Sequence, residues 1–319
     1  MIFLSSGVLT TVQDAGFVNL RSEGIGTSGV MDKTSMRLLN ILLNNPENGE
    51  VLEMHYPAPT IAFNESALIA LGGGDFSPKI NGKGVDCWKM HLVMPGDMLT
   101  FGHRVAGARM YLAVKGGFKH KPVLGSKSTS VAMSFGGKRI KKGDSLSLNL
   151  LNGSLYSAVQ KFKISPHTVC SSLRPSLSGE QEIRILTNDS IDGLDHDSLN
   201  KIFSQEFIIS ANSNRMGYRL EGERIEISGI GEQISSAVAF GTIQLLHDGS
   251  LAVLMADHQT TGGYPRLAQV ISVDLPILAQ LNVGQHVKFR EISLEVAEQV
   301  YLKQEKEIKK LKTSVALYK

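Results

Sequence analysis

Short apolar or alternating runs, each bounded by turn residues, recur along the chain and predict strands over 67–71, 108–114, 182–186, 242–246 and 251–255. Asn81-Gly82 and Asn152-Gly153 are turn pairs of the hairpin kind. Three stretches, 95–101, 142–148 and 283–289, share a glycine turn followed by alternate apolar residues, so each predicts a strand entered from a turn. Helical periodicity is rarer. Asp32 is placed to cap a helix over 32–44, with Met36, Leu39 and Leu43 on its inner face and Pro46 closing it. Further helices are expected over 197–205 and 272–281. A last one begins near Ser293 and runs through the charged stretch 303–312, read as a solvated tail that frays, its lysines implying no binding role. The pattern predicts a mainly β protein with a few helices.

The polar, Ser-rich stretch 151–179, with Pro166 and Pro175, is the natural link between two lobes. The expected division is an N-terminal β-rich lobe over 1–160, a C-terminal β lobe over 161–295 and a charged helix or tail over 296–319. A chain of 319 residues, 42% hydrophobic and 20% charged, can bury a full core and has the composition of a soluble globular protein. The formal charge of +3 gives no case for nucleic acid, and the basic run 138–142 reads as a solvated hairpin edge. Cys87 and Cys170 lie far apart in no metal-binding spacing and read as reduced packing residues. The N-terminus lacks the features of a signal peptide, and no apolar run is long enough to span a bilayer. A cytoplasmic protein with no membrane contact is expected.

Candidate chemistry concentrates in one segment, Asp257-His258-Gln259-Thr260-Thr261-Gly262-Gly263-Tyr264-Pro265, which follows the apolar run 251–255 and should sit at a sheet's lip. Gly262-Gly263 permits positive φ and close backbone approach to a ligand. The amide of Gln259 and the hydroxyls of Thr260 and Thr261 suit a small amide substrate, and Tyr264 offers a flat wall with a polar tip. The competing reading is a tight turn. Arg215 and Arg219 suit an anion, and strand alternation would put both on one face; the alternative is a structural Arg paired with Glu221 or Asp257. Gln13-Asp14 and Asp32 bracket the glycine-rich stretch 24–29, whose backbone amides suit an anion. Asp14 is a turn former or a polarising carboxylate, and Asp32 a helix cap or a site residue. Gly72-Gly73-Gly74-Asp75 and Gly125-Ser126-Lys127-Ser128-Thr129 each lack part of the P-loop pattern and read as turns. Ser28 sits in no nucleophile elbow, and the nine histidines form no metal motif.

Four stretches occur in one order and spacing: Thr10-Thr11-Val12-Gln13-Asp14, Ser28-Gly29-Val30-Met31-Asp32, Ser213 through Leu220, and Ala256 through Pro265. Together they resemble the family called allophanate hydrolase subunit 2, or biotin-dependent carboxyltransferase, which includes the C-type component of the ATP-hydrolysing 5-oxoprolinase; the similarity runs from about residue 2 to about residue 295. The resemblance implies two barrel-like lobes related to the cyclophilin fold. It implies an amide (lactam) hydrolase that opens 5-oxoproline to glutamate with A- and B-type subunits, the B-type one its close partner. The reaction is coupled to ATP hydrolysis, the ATP and its Mg held by or shared with a partner. On that reading Asp257, Gln259, Thr260 and Asp14 are the catalytic candidates. Arg215, Thr261, Gly262, Gly263, Tyr264, Gln13, Ser28, Gly29 and Asp32 are the substrate-binding ones, with no metal on this chain. The family position of His258 varies, which implies a solvent-facing residue. Relatives continue Leu-Gly-Arg-Pro-Gly where this chain has Ala15-Gly16-Phe17-Val18-Asn19, so an anion contact by that arginine does not transfer.

Two alternatives accompany this reading. One is the carboxyltransferase component of a urea carboxylase-like, biotin-dependent system, with biotin on another protein because no biotinylation site stands here. The other is a non-catalytic regulator that binds a homologue of the B-type component. Arg215 and the turn from Gln259 to Tyr264 should converge on one cleft in the C-terminal half, with the Gln13-Asp14 segment reaching its rim.

Overall fold

The computed structural model describes residues 1–149, 168–177, 181–188, 193–226 and 234–317. The chain divides into two units: the first comprises Met1–Gly16, Asp32–Pro175 and Glu305–Lys319, the second Phe17–Met31 and Ser176–Gln304. The division is not linear. The stretch 17–31 belongs with the C-terminal residues, and the boundary expected near 160 falls inside the first unit. Most of the expected link 151–179, and the Asn152-Gly153 turn, lie outside the described residues.

In the first unit, one five-stranded sheet runs in the order Ile2–Phe3, Ile61–Ala62, Met98–Phe101, Pro78–Ile80, Lys83–Gly84. The other runs Thr10–Gln13, Val51–His55, Ala106–Val114, Ala67–Asp75, Met90–Val93. Their shared core includes Phe3, Phe63, Leu71, Phe76, Leu99, Met110, Leu112 and Phe118. Helix α1 (Lys33–Leu42) follows Asp32, whose Oδ1 accepts from the Ser35 backbone N–H at 2.8 Å, and Met36, Leu39 and Leu43 are buried as the pattern requires. Gly72, Gly73 and Gly74 are not a turn but the interior of a strand. A side chain at Gly72 would meet the Trp88 ring at 2.9 Å and Leu39 Cδ2 at 3.0 Å, so glycine lets helix and ring lie close on the sheet. Asn81 and Gly82 do make a hairpin turn, at φ 52 and 78.

The second unit is a closed barrel of seven strands in the order Gln181–Thr187, Arg266–Val270, Thr242–Leu245, Leu251–Leu254, Gly217–Glu221, Phe207–Ile209, His286–Glu291. Closure leaves no exposed sheet edge. Its interior is filled by Ile183, Ile185, Tyr218, Leu220, Ile243, Leu245, Val253, Leu267 and Phe289, and Met31 from the early stretch joins the same core. Helix α2 (His196–Ser204), expected over 197–205, is capped by Asp195, whose Oδ1 accepts from the Ser198 backbone N–H at 2.7 Å. Helix α3 is short, Leu275–Ala279, with Pro276 in its first turn. Asp274 does not cap it because that carboxylate is taken by the Arg184 guanidinium, with Nε to Oδ2 at 2.9 Å.

The expected runs 67–71, 108–114, 182–186, 242–246 and 251–255 all fall on strands. Of the three glycine-turn stretches, the first and third lead into strands, whereas 142–148 makes only single bridges, Ile2 to Ser145 and Phe118 to Leu148. Helix α4 (Leu294–Leu317) is not a frayed tail. In the first unit Ile308 is buried, Arg37 binds Glu305 with Nη2 to Oε2 at 2.9 Å, and Lys312 reaches Glu47 at 2.7 Å. Of the two cysteines only Cys87 is partly packed; Cys170 is exposed. Among the described residues no helix is long and apolar enough to cross a membrane.

Candidate functional site

The strand Leu251–Leu254 is buried throughout, and burial continues through Met255, Ala256, Asp257 and His258 as the chain leaves the barrel. Backbone bonds hold this exit to the start of the neighbouring strand: Asp257 N–H to the Arg215 carbonyl at 2.8 Å and Met255 N–H to the Met216 carbonyl at 3.0 Å. The Arg215 side chain lies on the same seam. Its Nε donates to Asp257 Oδ2 at 3.0 Å, and its Nη2 serves both Asp257 Oδ1, at 3.0 Å, and the Gly29 carbonyl, at 2.6 Å. Ser28 Oγ completes the set by donating to Asp257 Oδ1 at 2.6 Å. Ser28 and Gly29 sit at φ 51 and 87, and a buried serine in the left-handed region is a strained conformer held by these partners.

Four predicted residues, Arg215, Asp257, Ser28 and Gly29, are therefore brought together. Both charges are buried and mutually satisfied, which makes the cluster an anchor for the 17–31 stretch as well as a positioning device for the turn that follows Asp257. Arg219 does not share it. The strand starts at Gly217, so Arg215 lies before the alternation begins, and Arg219 is exposed.

In the turn itself His258 is buried rather than solvent-facing, its Nδ1 2.5 Å from the Gln259 carbonyl oxygen. Thr261–Gly262 pairs antiparallel with Ser236–Ala237. Neither Gly262 nor Gly263 is at positive φ. Gly262 serves close approach instead: a Cβ there would stand 2.7 Å from Nε2 of the buried Gln244, an amide nitrogen with no hydrogen-bond partner among the described residues. Arg21 bridges to the turn, its Nη2 donating to the carbonyls of Val238 and, at 3.1 Å, Thr260. Tyr264 packs its ring on His247, with centroids 4.9 Å apart. Among the described residues the side chains of Gln259, Thr260 and Thr261 make no hydrogen bond, which leaves an amide and two hydroxyls for a ligand.

Beside this hairpin lies a cavity of about 470 Å³ whose lining includes Arg21, Asn188, Val238, Thr242, Arg266 and Gln269. Sequence reasoning singled out none of these. Arg21 and Arg266 lie in no motif, and only the packing of the 17–31 stretch with the barrel puts them on one cavity.

Gln13, Asp14 and Asp32 belong to the first unit, where each has its own partners. Gln13 is buried, with Nε2 donating to Thr11 Oγ1 at 2.9 Å and the Thr129 carbonyl at 2.8 Å. Asp14 accepts from Ser126 Oγ and Ser128 Oγ, each at 2.6 Å, from Lys127 N–H at 2.7 Å and from Gly16 N–H at 2.8 Å. Such a saturated carboxylate organises loops. Asp32 caps α1, and its own N–H donates at 3.0 Å to Tyr111 Oη, which in turn donates to Glu53 Oε2 at 2.9 Å. Burial first, then the Glu53 and Asp32 charges, push the Tyr111 hydroxyl well above its ordinary pKa.

The glycine-rich stretch 125–129 is a turn, as expected, with Ser126 and Ser128 spent on Asp14 and Lys127 Nζ on Glu50 at 2.6 Å. With the other glycine run inside a strand, neither stretch is shaped to cradle ATP phosphates. Among the described residues no group of three or more His, Cys, Asp or Glu is arranged to hold a metal ion.

The family model described as carboxyltransferase domain, subdomain A and B, matches residues 23–291. The chain belongs to this family. Among members, it is 33% identical over 298 residues to the C-type component of 5-oxoprolinase from Escherichia coli, a match covering 92% of each chain. It is 31% identical to the urea amidolyase of Lachancea kluyveri over 96% of its own length but only 18% of that enzyme. The crystal structure of the K. lactis urea amidolyase superposes on 97% of this chain with a TM-score of 0.86 at 27% identity, covering 20% of the larger enzyme.

Proposed function

We propose that this carboxyltransferase-family protein is the C-type component of an ATP-dependent 5-oxoprolinase and opens 5-oxoproline to glutamate with A- and B-type partners. The observation that carries this reading is the end-to-end match to that component of the Escherichia coli enzyme, 92% of both chains, against a match confined to about a fifth of urea amidolyase.

The residues support chemistry on a small amide. A lactam resists hydrolysis, so rate must come from orientation and from stabilising charge that develops on the carbonyl oxygen. Gln259, Thr260 and Thr261 carry donors and acceptors not used elsewhere, on a turn whose base is pinned by Arg215, Asp257 and Ser28. Asp257, with both oxygens engaged, acts as a positioning residue in this scheme. Neither glycine-rich stretch that partly matches the P-loop pattern, 72–75 or 125–129, is free to wrap phosphates, and in this scheme ATP, with Mg beside it, is held by or shared with a partner protein.

The test is reconstitution. Purified alone, the chain should form no glutamate from 5-oxoproline; with A- and B-type partners it should do so only with ATP. Full activity from the single chain overturns the multi-component reading. A second reading, transfer of CO₂ from carboxybiotin to a urea nitrogen, is favoured by the family description and by the fold shared with urea amidolyase. Avidin-sensitive bicarbonate fixation on urea, without lactam hydrolysis, would select it.

A further inference from the structure

The cavity beside the hairpin has an unusual balance of satisfied and unsatisfied groups. Its floor is saturated: Thr242 Oγ1 donates to Gln269 Oε1 at 2.9 Å and accepts from Ala239 N–H at 3.0 Å, while Gln269 Nε2 donates to the Phe240 and Val270 carbonyls at 2.8 and 3.2 Å. Its two guanidiniums are not. Arg266 makes one hydrogen bond, from Nη1 to the Ala237 carbonyl at 2.9 Å, and Arg21 uses Nη2 alone. Each guanidinium has five N–H donors, so most of both forks stays open, and among the described residues neither meets a carboxylate.

Two like charges lining one half-enclosed space repel each other, and among the described residues no carboxylate pairs with either. They are nevertheless pinned there, because both hold backbone carbonyls of 237 and 238. An arrangement of this kind is preorganised for an anion, and a planar fork favours a carboxylate met by two parallel N–H groups. The volume, about 470 Å³, is in the range of small-molecule sites. Ser236–Ala237 also pairs with Thr261–Gly262, so this cavity and the turn bearing Gln259 and Thr260 share a wall.

The geometry points to this cavity as a carboxylate subsite, in which Arg266 with Arg21 holds the carboxylate of a small amide-bearing acid. That the acid is 5-oxoproline rests on the function proposed above. Urea has no carboxylate, so the subsite separates the two substrate classes: the lactam acid gains a charge-assisted contact here, and urea gains none.

The test has two arms. In the reconstituted complex, Arg266→Gln should raise KM for 5-oxoproline by about tenfold to a hundredfold with kcat changed far less, the range expected when one charge-assisted hydrogen bond is lost. Arg266→Lys should recover part of the loss. In the second arm the full chain alone is titrated calorimetrically with 5-oxoproline, with its uncharged carboxamide and with inorganic phosphate. The acid should bind, the carboxamide at least about tenfold more weakly, and phosphate should not displace the acid. An active complex whose Arg266→Gln variant keeps its KM overturns the subsite and leaves the proposed function standing. An inactive wild-type complex with carboxylate binding that Arg266→Gln abolishes does the reverse. Should that variant fail to fold, equal affinity for acid and carboxamide overturns the subsite, and so does displacement by phosphate.

Discussion

Arg215 and Asp257 meet fork to fork: Nε lies 3.0 Å from Oδ2 and Nη2 lies 3.0 Å from Oδ1, with both residues buried. Ser28 Oγ, at 2.6 Å, and the Gly29 carbonyl fill the remaining positions on acid and base. Removing one partner of such a pair leaves an unpaired charge in a poorly solvated place. Asp257→Asn should therefore destabilise the fold by about 3–5 kcal/mol, read by chemical denaturation. A change below about 1 kcal/mol with turnover abolished would instead give Asp257 a direct part in the chemistry.

Gln259 and Thr260 should behave oppositely. Their side chains make no hydrogen bond among the described residues, and Gln259 is exposed. Gln259→Ala and Thr260→Ala should shift stability by no more than about 0.5 kcal/mol, while lowering kcat of the reconstituted complex at least about tenfold. A large drop in Tm with normal turnover of the folded fraction would mark the turn as structural.

Gly262→Ala tests why glycine stands there. The added methyl would come within 2.7 Å of Gln244 Nε2, so the variant should lose about 1 kcal/mol. Gln244→Ser in the same chain should restore most of that loss in a double-mutant cycle. Additive effects would show that the close approach is not the cause.

Acid should release the end of α4 from the first unit. The Lys312 hydrogen bond, followed by Arg37, holds the Glu47 carboxyl below its ordinary value of 4.5 despite partial burial. A depressed folded pKa means the contribution is fully present above 4.5 and is lost as pH falls through the folded value. After correction for intrinsic rates, amide exchange over 305–317 should rise below about pH 4.5 and rise less steeply in Glu47→Gln. Equal slopes would remove Glu47 from that anchor.

The two thiols should differ in reactivity. Burial pushes the Cys87 thiol up to about 12, whereas hydrogen bonds from Ser172 hold the exposed Cys170 thiol below its ordinary value. Iodoacetamide at neutral pH should label Cys170 first, with peptide mass spectrometry as the readout; equal labelling would contradict the burial of Cys87.

Alternation and turn residues determined part of the strands of each unit, among them 67–71 and 108–114 in the first and 182–186, 242–246 and 251–255 in the second, and the Asp32 cap with Met36, Leu39 and Leu43 determined α1, because these are signals between residues a few positions apart. The four ordered motifs likewise determined the family. Tertiary structure decided which residues those elements bring together. Nothing local says that 17–31 packs with the barrel, that Asp257 pairs with Arg215 rather than waiting for a proton, or that Asp14 spends its oxygens on Ser126 and Ser128. Nor does any pattern put Arg21 and Arg266 on one cavity. Periodicity reports which way a side chain faces along its own element, whereas the partner it meets depends on how strands far apart in the chain are registered. That register is set only when the barrel closes.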